Sequence, residues 1–93
     1  MHIVYEEIYF NAQNRRQIRF DKQETFLFVQ TKENQIDILA DLETGKPSLF
    51  CQIENIPGDK IIDFHAFEHY KLVTLSQNGL LCCYSFQKGS YKQ

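Results

Sequence analysis

The sequence predicts an all-β chain built from four-stranded antiparallel units. Three observations carry that prediction. A gapless register of 44 residues relates two stretches of the chain. Short runs rich in branched and aromatic residues, Phe26-Leu27-Phe28-Val29 and Leu72-Val73-Thr74-Leu75, stand near matching places in it. Tight-turn residues separate such runs, above all Asn78-Gly79 and Thr44-Gly45-Lys46-Pro47, because Asn and Gly tolerate positive φ.

The register pairs Ile18 with Ile62, Phe20 with Phe64, Glu24 with Glu68, Phe26 with Tyr70 and Phe28 with Leu72. It goes on to pair Val29 with Val73, Asn34 with Asn78, Ile36 with Leu80, Leu42 with Phe86 and Gly45 with Gly89. Helical repeats can have a similar length, so the period alone does not decide. Strand chemistry does, since no stretch shows a helical apolar stripe with caps.

The elements follow in order. A first strand is expected over about 17–21 and again over 61–66, and a second over 25–31 and 70–76. Turns at Glu33-Asn34-Gln35 and Gln77-Asn78-Gly79 lead to a third, over 36–42 and 80–86. The third strand of the first unit ends at Asp41 to Pro47, where Gly45 opens the backbone for a hairpin. A fourth, Ser48-Leu49-Phe50-Cys51-Gln52-Ile53, comes next, and Asn55-Ile56-Pro57-Gly58-Asp59 leads into the following unit. Shifted back by 44, Val4-Tyr5-Glu6-Glu7-Ile8-Tyr9 falls where a fourth strand would be. The expected organisation is therefore one outer strand in 1–11, a whole unit in 17–55 and three strands of another in 61–89. The expected core is Ile18, Phe20, Phe28, Val29, Ile36, Ile38, Ile62, Phe64, Leu72, Val73 and Leu80.

Composition bounds the function. The 93 residues suffice for one small domain, and 43% are hydrophobic. Eight Phe and five Tyr supply large apolar areas to bury, which argues against disorder. The net charge of −2 exerts no global pull toward nucleic acid or anionic membranes. No apolar run approaches the roughly 20 residues that span a bilayer. The start, Met1-His2-Ile3-Val4-Tyr5-Glu6-Glu7, lacks a signal peptide's basic and apolar regions. The three cysteines are odd in number, and two of them are adjacent, so they form no disulfide framework. The chain is accordingly expected inside the cell, in cytoplasm or nucleus.

At this point the sequence resembles the WD40-repeat family, a likeness that spans most of residues 17–89. "IDILADLETGKP" resembles that family's third strand and its I-x-V-W-D-L-x-T-G-K ending. "KIIDFHAFEHYKLVTLSQNGLLCCYSF" is similar to the family's V-x-x-V-x-F start and its S-x-D-G-x-I-x-V-W-D finish. The Trp positions carry Ala40 and Tyr84, Asp41 keeps the acidic partner, and Ser85 replaces it in the second unit. Gly58-Asp59 stands where the family has Gly-His, so its Asp–His–Ser–Trp hydrogen-bonded set has no counterpart here. The resemblance implies about two blades' worth of a β-propeller, an architecture that closes with about four to eight blades. The remaining blades would come from other protein chains or from more copies in a head-to-tail ring. In such a ring, the N-terminal strand of one copy would complete the sheet of the next.

Several motifs carry chemistry of their own. His65-Ala66-Phe67-Glu68-His69 matches the H-x-x-E-H pattern of zinc peptidases, which needs both His on one helix face and the Glu as general base. Here it spans an expected strand end and loop, so a surface turn is the plainer reading. Adjacent Cys82 and Cys83 match Ile38 and Leu39 in the register and read, with Cys51, as buried small apolar residues. Arg15, Arg16, Arg19 and Lys22 form the one basic cluster, a contact for an acidic partner or RNA phosphate. The Gly-Lys-Pro-Ser at 45–48 lacks the spacing of a phosphate loop, and no cofactor motif is present.

The functional expectation is a non-catalytic protein–protein interaction scaffold within a larger complex, drawn from fold analogy. The alternative is an RNA-associated subunit using Arg15, Arg16, Arg19 and Lys22. A remote third is a zinc hydrolase at His65, Glu68 and His69.

Overall fold

The computed structural model describes residues 17–55 and 59–93. Strands β1 (Ile18–Phe20), β2 (Leu27–Lys32), β3 (Gln35–Ala40) and β4 (Ser48–Glu54) form one antiparallel sheet in chain order. Strands β5 (Ile61–Phe67), β6 (Lys71–Ser76), β7 (Leu81–Gln87) and β8 (Ser90–Lys92) form a second in the same way. The chain is all-β, as the alternating runs require. Among the described residues no helix is long and apolar enough to cross a membrane.

Two expectations change at strand ends. β3 stops at Ala40 because Asp41 turns left-handed, with φ of 59°. Leu42–Thr44 then make a single 3₁₀ turn that buries Leu42, and Gly45 closes it with φ of 76°. The second unit, expected to have three strands over 61–89, has four. Gln87 pairs with Ser90 across a two-residue hairpin at Lys88-Gly89, so β8 takes the fourth position over three residues. The strand expected within residues 1–11 lies outside the described residues.

The register between the sheets also differs from the sequence alignment. Phe28 pairs with Ile38 in the first sheet, and Val73 pairs with Cys83 in the second, each 45 residues on. Leu27 with Leu39 answers in the same way to Leu72 with Tyr84. In β structure one residue is decisive, because it moves a side chain to the opposite face. Leu80, expected in the core as the mate of Ile36, lies in the turn after Gln77 and is 48% exposed. Val73 is only half-buried, and Cys83 is exposed while Cys82 and Cys51 are buried. Ile62, also expected inside, is 47% exposed because a bulge between Ile61 and Asp63 interrupts the alternation. Ile18 and Phe20 are half-buried on the first sheet's outer side, packed on Leu27, Val29, Leu39 and Leu42.

The main core lies between the sheets. Phe28, Ile36, Ile38, Cys51 and Ile53 from the first meet Ile61, Phe64, Leu72, Tyr84 and Phe86 from the second. The two ends of this layer are built differently. At one end rings gather: Phe26 lies 4.9 Å from Phe50 and 5.6 Å from both Tyr70 and Phe86. Toward the other end a buried polar knot ties the inter-sheet connection to both central hairpins. Asn34 Nδ2 donates to the Asn55 carbonyl (3.0 Å), and Asn78 Nδ2 donates to Asp59 Oδ1 (3.3 Å). Asn55 Nδ2 reaches Asp59 Oδ2 at 3.5 Å, and the Tyr84 hydroxyl donates to Asn55 Oδ1. Gln30, also buried, donates to the carbonyls of Ile61 (2.8 Å) and Glu33 (3.1 Å).

Burial raises the ionisation of the Cys51 thiol above its ordinary 9.0. Burial, with Cys82 and then Tyr91 and Asp59 nearby, raises that of the Tyr84 phenol above its ordinary 10.0. Both groups hold their protons more tightly folded than unfolded. Their contribution is therefore complete below the unfolded values and lost as pH rises past them. The urea midpoint should fall above about pH 9, and Tyr84→Phe should flatten the part of that fall above about pH 10. At neutral pH Tyr84→Phe should cost about 1–3 kcal/mol, since it leaves a buried Asn55 acceptor unpaired. Thr74 makes the opposite case. Its hydroxyl is buried without a partner, so Thr74→Val should raise stability by about 1 kcal/mol in urea unfolding.

Candidate functional site

The ring-lined end of the sheet pair opens as a cleft of about 350 Å³. The β1–β2 turn and the β5–β6 turn form its walls, so the topology itself brings the two sheets' loops together here. Phe26, Phe28 and Phe86 line it, with Tyr70 beside them. Phe86 contacts Phe26, Phe28 and Tyr70 at 5.6, 5.9 and 5.7 Å between ring centres. The polar members of the wall include Asp21, Glu68 and His69. Asp21 Oδ1 accepts from the Phe26 backbone N–H at 2.9 Å, which fixes the turn. Among the described residues no ion pair engages Asp21 or Glu68.

The loops around this cleft are strained. Glu24, His69 and Tyr70 have φ of 56°, 64° and 60°, a left-handed conformation that costs a residue with a Cβ about 1–2 kcal/mol. His69 and Tyr70 are consecutive, where a hairpin would ordinarily place Asn-Gly. Strain of this kind persists where surrounding structure enforces it, and it gathers at binding sites. Here Tyr70 is held by its contacts with Phe26, Phe50 and Phe86.

Two members of the basic cluster, Arg19 and Lys22, lie among the described residues. Arg15 and Arg16 lie outside the described residues. The Arg19 guanidinium is engaged inside the molecule: it donates to the Phe64 carbonyl and to Gln17 Oε1 (2.6 Å). It also pairs with Asp63 Oδ1 at 2.7 Å and lies over the Phe64 ring, 5.1 Å from its centre. Arg19 thus clips β1 to β5, helped by Gln17 Nε2 on the Ile62 carbonyl (2.8 Å). Lys22 is exposed and lines a groove beside the cleft with Gln23, His65 and Phe67.

The zinc-type pattern has no helix beneath it. His65 stands on β5, with its ring 4.6 Å from Phe67, while Glu68 and His69 lie in the turn. Among the described residues no group of three His, Cys, Asp or Glu is placed to hold a metal ion. The geometry therefore does not assemble the three groups as that chemistry requires.

One more surface stands out. The outer face of the second sheet carries Phe67, Val73, Leu75, Leu81 and Cys83, with Ile62 at its bulge. Phe67 is 53% and Leu81 67% exposed. Sequence reading missed both this face and the cleft. Phe26 and Tyr70 do fall together in the 44-residue register, and that was the available signal for the ring cluster.

Arg19→Gln should lower unfolding stability by about 1 kcal/mol, because the ion pair is half-exposed and screened and the ring contact is modest. The loss should halve or more at high salt, as urea unfolding with and without added salt would read. Compared with protein families, curated proteins and solved structures, the chain matches no family model, no curated protein and no solved structure.

Proposed function

We propose that the chain is a non-catalytic protein–protein interaction scaffold whose two sheets serve as WD40-like propeller blades. Its partner is a further antiparallel sheet, brought by another protein chain, that docks on the outer face of the second sheet.

One observation carries this reading. Phe28, Gln30, Ile36 and Ile38 turn toward the second sheet and are buried there. Their mates 45 residues on, Val73, Leu75, Leu81 and Cys83, turn away from the first sheet and are left half-buried or exposed. The second sheet therefore offers outward the positions by which the first is covered. Stacking of that kind is head-to-tail, and it continues until a ring closes. Sheets packed face to face bury such positions about 10 Å apart with interleaved side chains. A monomeric protein rarely leaves a broad apolar patch open, and those that do so usually bind there.

Cys83 sits in the middle of this face and reports on it, since Cys51 and Cys82 are buried. Maleimide should label the purified folded chain at Cys83 within minutes. In freshly opened cells, the same residue should be protected at least about tenfold, as burial of a thiol in a packed interface requires. Leu81→Lys should restore labelling in cells without changing the circular dichroism of the purified chain. Equal labelling of Cys83 in both settings overturns the proposal.

A further inference from the structure

We propose that the ring-lined cleft binds an arginine side chain presented by an extended peptide. The claim concerns the other end of the molecule from the polar knot, and it holds whether or not a sheet docks on the outer face.

The cleft has the two ingredients that a guanidinium needs. Tyr70, 53% exposed, offers its ring at the mouth, and the nearly buried rings of Phe26 and Phe86 floor the cleft; an aromatic ring attracts a cation. Asp21 and Glu68 stand in the wall, and among the described residues neither has an ion pair. Asp21 spends Oδ1 on the Phe26 N–H, and among the described residues no hydrogen bond engages Oδ2. A neutral apolar ligand would have to desolvate these carboxylates without recompense, which costs free energy. An anion would be repelled. A cation with a flat, weakly hydrated head satisfies both walls, and arginine fits this better than the compact, strongly hydrated ammonium of lysine.

The molecule already holds this combination once. Arg19 lies over the Phe64 ring while pairing with Asp63. That arrangement is filled from within, whereas among the described residues no Lys or Arg lines the cleft. Lys22 lines the adjoining groove with Glu68, yet forms no ion pair with it. The turn at His69-Tyr70, which walls the cleft, is left-handed at both residues. It holds Tyr70 at the mouth, 53% exposed, in a conformation its backbone resists. About 350 Å³ lies at the small end of the range for ligand sites, suited to one side chain rather than a cofactor.

The test is a proton–nitrogen NMR titration of the whole chain with acetyl-Gly-Arg-Gly-amide. Matched peptides carry citrulline, which is planar but neutral, or lysine. Saturable shifts are expected at Asp21, Phe26, Glu68, His69 and Tyr70. The citrulline peptide should bind at least about tenfold more weakly, in line with the worth of a partly desolvated cation on rings and carboxylates. Asp21→Asn with Glu68→Gln should weaken the arginine peptide and leave the citrulline peptide unchanged. Tyr70→Ala, at an exposed turn, should weaken the arginine peptide with the spectrum otherwise intact. Equal binding of citrulline and arginine, shifts centred on Asp63 instead, or no saturation from a well-dispersed spectrum would each overturn the proposal.

Discussion

The arrangement of the whole molecule depends on how Asn55 and Asp59 are satisfied. Both are buried, at 5% and 8% exposure, where the chain crosses from one sheet to the other. A buried amide and carboxylate need partners, because a lost hydrogen bond there is not replaced by water. The Asn55 amide is met by the Asp59 carboxylate and the Tyr84 hydroxyl, while Asn34 of one central hairpin donates to the Asn55 backbone carbonyl and Asn78 of the other donates to the Asp59 carboxylate. Backbone bonds reinforce them, with Ile61 N–H on the Glu33 carbonyl and Gln77 N–H on that of Lys60, each at 2.7 Å. The crossing is thereby fastened to both turns, and the sheets lie strand over matching strand.

The other contacts between the sheets follow from that alignment. With β1 over β5, Arg19 reaches Phe64 and Asp63. With β4 over β8, the Tyr91 hydroxyl reaches the Glu54 carbonyl at 3.2 Å, and Cys51 faces the Ser90 carbonyl. Gly89 N–H meets the Phe50 carbonyl at 2.7 Å. The loops beyond these clips cannot slide past one another. Their rings meet edge to face or tilted at fixed places, and a cleft remains between the turns.

How far the sequence revealed this can be traced residue by residue. Strand identity was legible, since alternation and turn residues such as Asn78-Gly79 act locally. Register was not. The two central hairpins correspond at 45 residues while the best residue matches fall at 44, and that single step reversed the expected faces of Val73 and Cys83. β8 escaped notice because three residues after Lys88-Gly89 carry too little pattern. Arg19 looked free for a partner, and only tertiary structure could bring Asp63 and Phe64 to it. The cleft draws its rings from four places in the chain, so no short motif announces it. The asparagines that organise the crossing were read as turn formers, which they also are.

Among the described residues each strand pairs only with its neighbour in the chain. Hairpins of that sort close within about 1–10 μs, whereas contacts between the sheets must wait for a longer loop to be gathered. The second sheet can thus form before its apolar faces are covered, and one of them stays open after the fold is complete. Such a surface invites wrong pairing during synthesis. Asp63 opposite Leu75, and Lys71 opposite Phe67, set charges among the apolar residues of that face. They act as gatekeepers, making the unwanted association of like surfaces costly.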